Sequence, residues 1–150
     1  MKTPLLALGL AAPLGLAGAM ALPTTAEAKP VRLTTTLKSY GGNGAYLAIY
    51  LTDAQGKFHS TLRIAGGKAK YYKHLAGWAR GSGGRIDGAT GASVGSGETL
   101  RVNVNIADAL IDAGYQIRID SSVENDRDVT ADVVVPLSAA GSGKAVPGKG

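Results

Sequence analysis

Two hydroxyls, Thr90 and Ser93, stand in a run of seven small residues, Asp87-Gly88-Ala89-Thr90-Gly91-Ala92-Ser93, with a carboxylate at its head and no bulky side chain within it. A hydroxyl in such surroundings is an accessible nucleophile that needs a base to activate it. Gly88 and Gly91 permit backbone angles closed to other residues, and Asp87 can fix the run by bonding to nearby backbone N–H groups. The same run also reads as a plain flexible turn with Asp87-Gly88 as its turn pair. Other reactive groups are sparse. Cysteine is absent, which excludes disulfides, thiolate catalysis, c-type haem attachment, iron–sulfur ligation and cysteine zinc sites. His59 and His74 are the only histidines, and two imidazoles without a dense carboxylate cluster make a weak metal site. No Ser-His-Asp spacing is legible. Asp108 and Asp112 read as a solvated face, and Glu124-Asn125-Asp126-Arg127-Asp128 as an exposed turn without the spacing of a calcium loop.

The elements that must position the run are mostly strands. Residues 31–38, 45–53 and 57–64 carry β-branched and aromatic residues and are punctuated at Gly41-Gly42-Asn43-Gly44 and Ala54-Gln55-Gly56, which predicts three successive antiparallel strands. After Gly66-Gly67 the period changes. Tyr71, Leu75, Trp78 and Ala79 fall on one helical face and Gly81 is a fitting stop, so one helix is expected to cover an edge or end of the sheets. Residues 80–97 read as a long exposed loop with the seven-residue run at its centre, and loops of that length in compact domains are usually functional. Strand patterns resume over residues 99–106, 115–120 and 129–137. Six strands with half-buried alternation and one inserted helix predict a mainly β fold, an antiparallel immunoglobulin-like β-sandwich. Residues 29–137 form its single domain, and 138–150, rich in Gly, Ser, Lys and Pro, read as a disordered tail.

Residues 1–28 read as a cleaved signal peptide, with Lys2 as the positive n-region, an apolar stretch over residues 5–22 and the cleavage pattern Ala26-Glu27-Ala28. No twin arginine precedes the apolar stretch and no cysteine follows it, so the general secretory route to the periplasm is expected, without a lipid anchor. The net charge is +5. Its bases Lys57, Arg63, Lys68, Lys70, Lys73, Arg80 and Arg85 gather between residues 57 and 85, which suggests one positive face for phosphate, an acidic partner or an anionic membrane surface. Nucleic acid is not an expected partner, because the chain has no aromatic-and-basic repeat.

The run 87–93 resembles the acceptor sequence of covalently flavinylated bacterial proteins, D-x-x-[ST]-G-A-[ST], with Ser93 at the acceptor position. The resemblance implies that a periplasmic FAD:protein FMN transferase splits FAD and leaves FMN joined by a phosphoester to Ser93, with Asp87, Thr90, Gly91 and Ala92 forming the recognised site. Serine stands where threonine is commoner. Most of the remaining chain is similar to a family of predicted periplasmic proteins of unknown function, in the order of export signal, Tyr46 to Phe58 strand pair, Lys70-Tyr71-Tyr72 to Trp78 helix and acceptor-like loop. Members commonly carry a tryptophan-aspartate-glycine strand after the motif, similar to the immunoglobulin-like domain of flagellar hook-cap scaffolds. This chain has Arg101-Val102-Asn103-Val104-Asn105 there, which weakens the flagellar analogy. The family's association with flavin transferases and PepSY-type membrane proteins implies an electron carrier with a membrane redox partner, no catalyst by itself. For a tethered flavin, Tyr71, Tyr72 or Trp78 are candidate stacking residues and Arg80 or Arg85 candidate anion partners, although Tyr71 and Trp78 also read as core. The alternative expectation is a cofactor-free module that binds or scaffolds a membrane or envelope partner.

Overall fold

The structure, a computed structural model, describes residues 27–150, so the signal segment expected over residues 1–28 lies almost wholly outside them. The chain is mainly β, as expected. Strand β1 (Ala28–Thr36) pairs antiparallel with β5 (Thr99–Ala107) in a two-stranded sheet. A five-stranded sheet holds, in spatial order, β4 (Ala89–Gly91), β3 (Phe58–Ala65), β2 (Ala45–Thr52), β6 (Gln116–Val123) and β7 (Asp128–Pro136). All its pairings are antiparallel except β3 with β4.

The two sheets face one another across the main core. Leu47, Ile49 and Leu51 of β2, Ile117 and Ile119 of β6 and Val102 and Ile106 of β5 meet there, with Val31 and Leu33 of β1 packed against them. This is the period-2 alternation of a sandwich read from both sides. The other face of β2 is buried too. Tyr46, Ala48 and Tyr50 point to a second cluster with Ile64, Tyr72, Leu75 and Trp78, which is why β2 reads as a nearly unbroken apolar run.

Three expectations are corrected. First, β2 and β3 form a hairpin, tied at its turn by Asp53, whose Oδ1 accepts the N–H groups of Gln55 and Lys57 at 2.9 Å each; β1 does not extend that meander. Its pairing with β5 continues past the strand end through Leu37 N–H to the Glu98 carbonyl (2.9 Å) and Gly97 N–H to the Lys38 carbonyl (2.9 Å), and the Gly41 to Gly44 link then crosses between sheets.

Second, the single helix is two: a 3-10 helix, Ala69–His74, and α1, Ala76–Ser82, broken at Leu75. Three residues per turn align positions i and i+3, so Tyr72, Leu75 and Trp78 are buried at 7%, 0% and 1% exposure while Tyr71 is 40% exposed. Together these helices cover the outer face of the large sheet, not an edge. Third, residues 138–150, where a disordered tail is expected, are tied to the domain at both ends, at the start through the Ala139 N–H to Asp112 Oδ1 at 3.2 Å. Ser138 Oγ accepts the Gly141 N–H at 3.1 Å, and the Asp132 carboxylate accepts those of Lys149 (2.7 Å) and Gly150 (2.9 Å). Because β7 is the edge of its sheet, backbone groups remain open there for the tail to meet; the Asp132 carbonyl takes the Lys149 N–H as well.

Candidate functional site

The seven-residue run starts beyond α1, which is capped by Gly83 in the left-handed region (φ 69°). Asp87 is exposed, and among the described residues its side chain makes no hydrogen bond, so the local anchoring expected of it is supplied by others. Gly88 passes against β3 so closely that a Cβ there would lie 2.6 Å from the Thr61 carbonyl oxygen. Ala89, Thr90 and Gly91 then pair parallel with Arg63, Ile64 and Ala65. The Gly91 carbonyl accepts the Gly66 N–H at 2.7 Å, and the Arg63 guanidinium lies where a Gly91 side chain would be. Ala92 and Ser93 are exposed. Val94 is buried and exchanges both backbone hydrogen bonds with Ala45, at 2.7 and 3.0 Å.

Residues 80–97 are therefore not one long free loop. The apolar side chain of Val94 and the backbone groups of Ala89–Gly91 find partners in the large sheet, and what remains open is a short span with Ser93 beside a fixed point. Thr90, within the paired strand, is also exposed. Ser93 Oγ abuts Gly44: a Cβ on Gly44 would lie 2.9 Å from it. The sequence marks Gly44 only as part of a glycine-rich turn, and its relation to Ser93, almost fifty positions away, exists only once the Ala45–Val94 bridge has formed.

Gly44 also lines a groove of about 670 Å³, a size that accommodates an ordinary small-molecule ligand. Tyr46, Lys68, Tyr71, His74 and the turn between β6 and β7 line it. The Tyr46 and Tyr71 rings meet edge to face at 6.0 Å and 81°, an arrangement favoured by their quadrupoles. Tyr46 Oη accepts the Lys68 N–H at 3.0 Å, and its ring packs onto Gly66, where no side chain would fit. His74 Nδ1 and the Asp128 carboxylate are 3.0 Å apart at the far side.

Of the proposed stacking residues, Trp78 and Tyr72 are core. Trp78 Nε1–H donates to Thr61 Oγ1 at 2.8 Å, and Tyr72 Oη–H donates to the Gly66 carbonyl at 2.8 Å. Only Tyr71 of the three is open to a ligand. Arg80 and Arg85 are exposed and neither lines the groove. The two histidines lie apart in their contacts, His59 against Ser60 and Tyr115, His74 against Asp128, and no cluster of three or more metal-ligating side chains occurs among the described residues.

A buried carboxylate escaped the sequence reading. Asp120 is fully buried and accepts three hydrogen bonds, from Tyr50 Oη–H (2.9 Å), Trp78 N–H (2.8 Å) and Ala131 N–H (2.8 Å). By period, Asp120 shares the polar face of β6 with Arg118 and reads as solvent-facing; α1 covers that face. Burial, followed by the charge and hydrogen bond of Asp120, pushes the Tyr50 hydroxyl well above the ordinary tyrosine range, so it remains a donor. Asp120 thus fastens α1 to the large sheet and ties β7 to β6 where their register shifts, a positioning role with no route to solvent.

These features define a small, mainly β domain with a helical cover, an exposed hydroxyl at a sheet edge and an aromatic groove beside it. The chain belongs to the family described as predicted periplasmic protein (DUF2271), whose model matches residues 28–150 and begins at the first residue of β1. That membership agrees with the periplasmic location expected from the sequence; no helix among the described residues is long and apolar enough to cross a membrane. No curated protein and no solved structure matches the chain.

Proposed function

We propose that this protein is a periplasmic electron carrier whose FMN is esterified to Ser93. The observation that carries the reading is Ser93 itself: an exposed hydroxyl at the acceptor position of the flavinylation-like run, flanked by small residues and held one position before the Val94–Ala45 bridge. The surroundings fit a phosphoester, because Ala92 is small and exposed and Gly44 leaves the Ser93 hydroxyl unobstructed on the side where a Cβ would crowd it.

In the attachment step Ser93 Oγ loses its proton to a base of the FAD:protein FMN transferase and attacks the phosphorus on the riboflavin side of FAD. The Oγ–P bond forms as the pyrophosphate P–O bond breaks, and AMP departs with the electron pair. This chain is the substrate of that step. Once bound, FMN supplies the exchange of one or two electrons that the side chains of a cysteine-free protein lack; the chain's part is to hold it at a fixed edge of the large sheet. A PepSY-type membrane protein is the proposed redox partner, with the Lys- and Arg-rich segment 57–85 favouring approach to an anionic surface.

The test is in-gel flavin fluorescence after denaturation of protein exported beside its transferase. A fluorescent band in wild type and in Thr90→Ala, absent from Ser93→Ala, is expected. A dark wild-type band would leave the cofactor-free binding or scaffold module as the reading.

A further inference from the structure

We infer that the groove beside Gly44 is the seat of the isoalloxazine ring, with Tyr71 as its stacking residue; this deepens the flavin reading and rests on it. The starting observation is continuity. Gly44 is at once the residue against which Ser93 Oγ lies and part of the groove wall. A flavin esterified at Ser93 is therefore tethered one residue's width from a concave surface, across Gly44, and a tethered ligand binds its neighbouring site at a high effective concentration even when each contact is weak.

The lining suits a flat, amphipathic, redox-active ring. Tyr46 is held from two sides, by its hydrogen bond from the Lys68 N–H and by its packing onto Gly66, so one wall is fixed in advance. Tyr71 meets it edge to face and is the exposed member of the pair. Stacking on a tyrosine that is already oriented costs little side-chain entropy. The Lys70 ammonium lies 5.1 Å from the centroid of the Tyr71 ring; in an exposed setting such a contact is weak and yields to a flat ring.

Charge at the groove is divided. Asp128 is bound to His74 and, through Oδ1, accepts the Ser122 hydroxyl at 2.6 Å. Lys68 and Arg127 also line the groove and form no ion pair among the described residues, while Glu124 and Asp126 line it too; the cations offset these carboxylates, so the aromatic wall and not net charge carries the fit to the ring. The 3-10 helix is what brings these groups together: its threefold period buries Tyr72 and turns Tyr71 outward.

The test uses flavin-loaded full-length protein, wild type, Tyr71→Phe and Tyr71→Ala, with loading measured by intact mass and ring accessibility by iodide quenching of flavin fluorescence. Tyr71 belongs to neither core cluster, so its replacement leaves both cores intact. Expected are equal loading in all three and iodide quenching that rises about fivefold in Tyr71→Ala, the size of a lost aromatic contact, with Tyr71→Phe close to wild type. Equal loading with the same quenching in all three would overturn the groove and leave attachment at Ser93 standing. A wild type that gains no FMN overturns both.

Discussion

At the scale of single residues, two side chains separate position from stability. Ser93 is the proposed acceptor, and its hydroxyl is kept clear by the missing side chain of Gly44. Gly44→Ala is expected to force the Ser93 side chain off its open rotamer at a cost of about 1 kcal/mol, slowing FMN loading roughly fivefold in a timed mass assay and lowering unfolding stability by no more than that same amount. Asp120 is the opposite case. Removing its carboxylate strands the Tyr50 hydroxyl and the N–H groups of Trp78 and Ala131 inside the protein, so Asp120→Ala should lower unfolding stability by about 3–5 kcal/mol, read from urea denaturation with an unchanged slope. The Tyr50 contribution has a defined pH sense. Its folded pKa is raised, so the contribution is complete below the ordinary tyrosine pKa and is lost only as pH rises through the higher folded value. The run around Ser93 stands out in the sequence because its pattern is local; the role of Asp120 does not, because it is created by a helix laid over a face that looks polar.

At the scale of elements, the proposed acceptor span hangs on β4, a parallel edge strand of three residues. So short an edge opens at little cost, and amide hydrogen exchange should be fast across residues 89–93 and slow in β2, which is buried on both faces. That difference would let a transferase lift the hydroxyl without unfolding either core. The docked tail offers a second element-scale prediction. At Asp132, burial alone would raise the carboxyl pKa, but the hydrogen bonds from Ser121 and the backbone of Gly150 and Lys149 outweigh it and the net shift is downward. The docking is therefore complete above the ordinary carboxylate pKa and lost as pH falls through the lower folded value. Residues 149 and 150 should gain fast amide exchange on acidification, and Asp132→Asn should show it already at neutral pH. Strand segments and the β2–β3 hairpin were legible because alternation and turn residues are local. The partner of β1 was not, since pairing with β5 is decided across some seventy residues, nor was the helix break, since 3-10 and α periods share Leu75 and Trp78 and differ only in choosing Tyr72 or Tyr71.

At the scale of the whole molecule, the large sheet is a shared wall between two cores, the sandwich interior and the tyrosine-tryptophan cluster under the helices. Ser93 is joined to the first through Val94 and Ala45, and the proposed ring seat is built on the second through Tyr46. The molecule thus sets tether and seat around Gly44 at the start of one rigid strand, β2, a sound support for a carrier whose ring must meet its partners in a repeatable pose. The sequence alone carried the periplasmic location and the mainly β architecture; it could not carry the groove, which is assembled from β2, the 3-10 helix and the β6–β7 turn. The proposed carrier role depends most directly on where FMN is attached. Protein exported beside its transferase should be measured by intact mass and then by fragmentation of the tryptic peptide spanning residues 86–101. A gain of one FMN whose phosphoester maps to Ser93 is the predicted result. No gain, or a modification on Thr90 with Ser93 free, would contradict it.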